Sequence, residues 1–147
     1  MSKEVTPILL ARNEKKNFNA NLDSSTLSTG DHIWYVDLSA TGAHMDASKF
    51  VIYIKNEEST SEGTRTVTIY DGDSTSAGRS SGKGLSAAGV GDFSTTIDSS
   101  TGTNSEILIG PLESARFMDA DGKIYFAVDT GSNSSTIDYQ VGAILLP

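Results

Sequence analysis

The sequence predicts an all-β domain, an antiparallel β-sandwich of jelly-roll type with an extended N-terminal arm. Three observations carry that expectation. Apolar residues recur at every second position in several short runs, helical periodicity is missing from any long stretch, and serine, threonine and glycine make up about a third of the chain and fall mostly between the apolar runs. Alternation with period two puts one face of a strand into a core, and small polar clusters between such runs are turn material.

Each predicted strand has its own warrant. His32 to Leu38, HIWYVDL, sets Trp34, Val36 and Leu38 on one face, and Thr64 to Tyr70 does the same with Val67 and Ile69. Phe50 to Ile54, FVIYI, is apolar on both faces and is expected in the middle of a sheet, between packed layers. Further strands are expected at Phe93 to Ile97, Ile107 to Ile109, Ser114 to Met118 and Ile124 to Val128. The closing run, Thr136 to Leu146, aligns Ile137, Tyr139, Val141, Ala143 and Leu145. About eight short strands of this kind fit a two-sheet sandwich.

With 147 residues the chain is one domain in size. It divides into an arm over residues 1–22 and a sandwich over residues 23–147. The arm is polar apart from Pro7, Ile8, Leu9 and Leu10, so these four residues, with Arg12, are the candidates for contact with a neighbouring surface. Ser74 to Gly91, STSAGRSSGKGLSAAGVG, is a loop of small residues with almost nothing large to bury.

Charge and composition narrow the function. Net charge is −8. Residues 1–20 carry Lys3, Arg12, Lys15 and Lys16 against Glu4 and Glu14, so the remainder is still more acidic than the total. Such a body repels phosphate backbones, which argues against nucleic acid as a partner. There is no cysteine, hence no disulfide framework and no thiolate metal site. No apolar stretch approaches the roughly 20 residues of a membrane span or the h-region of a secretory signal, so assembly in a cytosol is expected.

The catalytic motifs fail on context. Gly78 to Gly82, GRSSG, matches a nucleophile elbow around Ser80, but the only histidines, His32 and His44, precede it, whereas that motif needs its histidine later in the chain. The same stretch is too short for a phosphate loop, and Gly84 stands after Lys83 where Ser or Thr should hold magnesium. His44 and Asp46 are two ligands where zinc wants three or four. Asn133 opens a glycosylation sequon that needs a secretory route. Asp71 and Asp73 form a carboxylate pair, which signals general acid and base chemistry only inside a cleft of tuned environment. No catalytic, cofactor-binding or metal-binding residue is assigned, and the chain is not expected to be an enzyme.

The stretch Met118 to Asp129, MDADGKIYFAVD, can be read as a calcium loop or as a hairpin. Counted from Asp119, a calcium loop would need a bidentate Glu at position 12, where Thr130 stands. As a hairpin, Asp121 and Gly122 take the central positions of a type I′ turn. Ala120 then faces Lys123, Asp119 faces Ile124 and Phe117 faces Phe126. On that reading Gly122 is the sensitive residue and Asp119 is replaceable.

The segments IGPLESARFMDADGKIYFAVD, Ile109 to Asp129, and VGAILLP, Val141 to Pro147, resemble the C-terminal part of the head decoration, or cement, proteins of tailed bacteriophages. The resemblance covers about the last 40 residues. It implies a β-sandwich that binds the outside of an assembled capsid, with the major capsid protein and neighbouring copies as partners, often as a trimer, and an arm that touches neighbours. Catalytic residues and cofactors are not part of it. The expected location is the virion exterior. A second class of function, a carbohydrate- or receptor-binding β module such as a fibre tip, requires aromatic side chains exposed in a groove, and Trp34 is expected in the core instead.

Overall fold

A computed structural model describes residues 2–10, 13, 15, 23–27, 32–38, 49–57, 63–72, 91–128 and 137–146. These form ten strands and one helical turn: β1 (Ser2–Glu4), β2 (Ile8–Leu9), β3 (Asp23–Leu27), β4 (His32–Asp37), β5 (Lys49–Asn56), β6 (Arg65–Ile69), β7 (Phe93–Ile97), β8 (Glu106–Glu113), α1 (Ser114–Phe117), β9 (Lys123–Val128) and β10 (Ile137–Leu146). The fold is all-β with two mixed sheets. One has the order β1-β4-β9-β6-β7, the other β2-β10-β5-β8, and β3 also pairs with β10.

Four antiparallel pairings organise the chain: β3 with β10, β4 with β9, β5 with β8 and β6 with β7. They are nested, because each later strand returns to an earlier one in reverse order. The two sheets share one core. The residues aligned by alternation supply it: Trp34, Val36 and Leu38 from β4 and the residue after it, Val67 and Ile69 from β6, and Tyr139, Val141, Ala143 and Leu145 from β10 are all buried. Phe50, Ile52 and Ile54 complete it from β5, which lies inside its sheet between β10 and β8.

Aromatic rings join strands and sheets. Trp34 lies opposite Phe126 across β4 and β9, with ring centroids 5.7 Å apart and planes at 18°, and meets Tyr139 of the other sheet edge-on at 6.0 Å. Such pairs add about 0.5–1.5 kcal/mol beyond the area they bury.

Several expectations are corrected. The sheets are mixed rather than purely antiparallel, because β1 runs parallel to β4 and β2 parallel to β10. Residues 2–10, expected to stand apart from the core, belong to both sheets. Between β1 and β2 the chain passes from one sheet to the other, and Val5, fully buried, donates its N–H to the Tyr35 carbonyl at 2.8 Å. Leu10 donates its N–H to the Leu145 carbonyl at 3.0 Å. Asp23–Leu27, too polar to show an apolar face, is nevertheless a strand, since the edge of β10 supplies its backbone bonds. Ser114–Phe117, expected as part of a strand, is a single helical turn.

The hairpin is also built differently. The Asp119 N–H donates to the Lys123 carbonyl at 2.8 Å, and the Gly122 N–H donates to the Asp119 carbonyl at 3.2 Å. Met118, not Asp119, bridges Ile124. Only Gly122 of the loop has positive φ, +81°. This is a three-residue loop, a β-turn followed by a left-handed glycine, rather than a two-residue type I′ turn. Phe117 therefore does not face Phe126. It lies edge-on to Phe50 at 5.9 Å, with Arg116 over its ring at 4.8 Å.

Candidate functional site: the open edge

Aspartates hold the connections that shape the molecule. Asp119 is 3% exposed, and its Oδ1 accepts from the N–H groups of Asp121 and Lys123, both at 2.9 Å. Its Oδ2 is buried without a hydrogen-bond partner. Asp71, also buried, accepts the Gly91 N–H on Oδ2 at 2.8 Å, while its own N–H donates to Asp92 Oδ1 at 2.8 Å. Arg116 completes this knot by donating from Nε and Nη2 to the Gly91 carbonyl at 3.1 and 2.7 Å. The Gly72 N–H donates to the Arg116 carbonyl at 3.0 Å, and a Cβ at Gly72 would overlap the Met118 carbonyl oxygen. The two ends of the segment from Gly72 to Gly91 are thus fixed side by side.

A third aspartate braces the connection from β7 to β8. Asp98 accepts the Asn104 N–H on Oδ2 at 3.1 Å and the Thr64 hydroxyl on Oδ1 at 3.2 Å. The buried Asn56 at the end of β5 donates to the Asp98 carbonyl at 3.1 Å. These carboxylates are spent on backbone geometry. Among the described residues no three His, Asp or Glu side chains are grouped to hold a metal ion.

The side bounded by β7 and β8 is different in character. These strands end their respective sheets, so among the described residues each has an outer edge with no strand beside it. On the opposite side, residues 2–10 lie along the edges of both sheets. Between β7 and β8 runs a groove of about 210 Å³ lined by Phe93, Thr95, Ile107, Leu108, Ile109 and Gly110. Leu108 is 67% exposed and Phe93 36%. The sequence marked Phe93 to Ile97 and Ile107 to Ile109 as strands, the latter only the middle of β8. It could not mark their exposure, which depends on which strands end the sheets.

A second feature lies on the outer face of the other sheet. Tyr35 and Tyr125 oppose each other across β4 and β9, with centroids 5.6 Å apart. The Lys123 ammonium stands 5.1 Å over the Tyr35 ring, and the Tyr35 hydroxyl donates to Glu4 at 3.3 Å. Burial first, then the neighbouring Glu4 carboxylate, push the Tyr35 phenol above its ordinary pKa. Across β5 and β8, Tyr53 donates to Glu106 at 2.6 Å, and burial together with that bond pushes it up to about 12.

The sequence-based candidates distribute as follows. Ile8 is buried, Pro7 and Leu10 are half-buried, and Leu9 is 44% exposed. Arg12, His44, Asp46, Asp73, Ser80, Lys83 and Asn133 lie outside the described residues, as does most of the Ser74 to Gly91 loop. Trp34 is fully buried and offers no face to a sugar. Comparison with protein-family models, with curated proteins and with solved structures found no match to this chain.

Proposed function

We propose that the chain is a structural virion protein, a decoration protein that binds the outer surface of a tailed-bacteriophage capsid and stabilises it. The observation that supports this most is the nested pairing of β3 to β10. We read its strand orders, β3-β10-β5-β8 and β4-β9-β6-β7, as an eight-stranded hairpin rolled into a jelly-roll sandwich. That architecture is frequent in capsid and lectin domains. A fold by itself does not specify function. The resemblance of Ile109 to Asp129 and Val141 to Pro147 to decoration proteins selects the capsid side of that choice.

The mechanism is repetition of a modest contact. Many copies, each bound weakly to adjoining shell subunits, hold a closed lattice together through effective concentration rather than through one strong site. The partners are the major capsid protein and neighbouring copies of this chain, with a homotrimer as the expected unit, on the virion exterior. Of the neighbour contacts expected of the arm, Pro7, Ile8, Leu9, Leu10 and Arg12, Ile8 is buried within the chain itself, and among the described members Leu9 is the one whose side chain is well exposed. Heating bare and decorated shells of the encoding phage tests the reading. Decorated shells are expected to release DNA at a higher temperature, and identical release curves would refute stabilisation.

The Tyr35 and Tyr125 pair favours a second reading, a carbohydrate-binding module, because sugars stack on aromatic faces. Glycan-array binding lost in Tyr125→Ala would support it over the first.

A further inference from the structure

We draw no further inference here: the strongest candidate, the groove between the edge strands β7 and β8 with Phe93 and Leu108 on its lining, carries nothing, because Glu106 and Glu113 lie opposite Lys55 and Lys49 within the chain and nothing in the structure shows what covers it.

Discussion

Replacing Asp119 with alanine removes the acceptor of two backbone hydrogen bonds, from the N–H groups of Asp121 and Lys123. Hydrogen bonds to a charged acceptor contribute about 1.5–3 kcal/mol each. The full sum is not expected. Asp121 is exposed, so its N–H regains water, and the buried, unpartnered Oδ2 disappears with the carboxylate. A net loss of about 2 kcal/mol is the reasonable figure, and for a chain of this size it lowers the melting temperature by roughly 4–8 °C. Asp119→Asn keeps an acceptor at Oδ1 and should lose about half as much. Thermal unfolding by circular dichroism, with calcium and with chelator, reads both questions. A melting temperature of Asp119→Ala within about 1 °C of the parent would refute the argument that the side chain holds the loop. A calcium-dependent rise in the parent that vanishes in this variant would replace the turn by a metal site.

Gly122→Val forces a β-branched residue to φ near +81° and should lose at least about 1 kcal/mol in urea unfolding. Gly72→Ala pushes a methyl group into the Met118 carbonyl oxygen and should destabilise the chain, or open the knot of Asp71, Gly91 and Arg116, seen as faster hydrogen exchange at Gly91. Phe117→Ala opens a cavity against Phe50 and is expected to lose about 3–5 kcal/mol. Tyr53 stays protonated in the folded chain to a pKa of about 12, against 10 when unfolded. Its contribution to stability is therefore complete below pH 10 and is lost as pH rises through 12. In an alkaline absorbance titration, Tyr53→Phe should remove a phenol that ionises near pH 12, and an unchanged curve would contradict the assignment.

What the sequence disclosed depended on the kind of information involved. Burial of Trp34, Val36, Val67, Ile69, Tyr139 and Val141 was legible because a strand with one buried face must alternate. Asp23–Leu27 was not, since a polar edge strand owes its existence to the partner's backbone. The arm misled because Val5, its fully buried residue, stands alone in a polar stretch, while the conspicuous Leu9 is half in solvent. The hairpin was located correctly by Asp121 and Gly122 but shifted by one residue. Its register follows from the side chain of Asp119, which makes a three-residue loop favourable, and alternation carries no record of that. The open edge escaped for a related reason. Phe93 and Leu108 read as ordinary strand residues until the topology places their strands at the ends of the sheets.

The most direct measurement of the proposed decoration role is a titration of the purified chain against empty capsids of a tailed bacteriophage whose genome carries this sequence, with bound protein quantified after sedimentation. A decoration protein saturates at a fixed whole-number ratio to the shell's symmetry-related sites, and added chain beyond that ratio remains in the supernatant. Binding that never saturates, or no co-sedimentation at any concentration, would contradict the account.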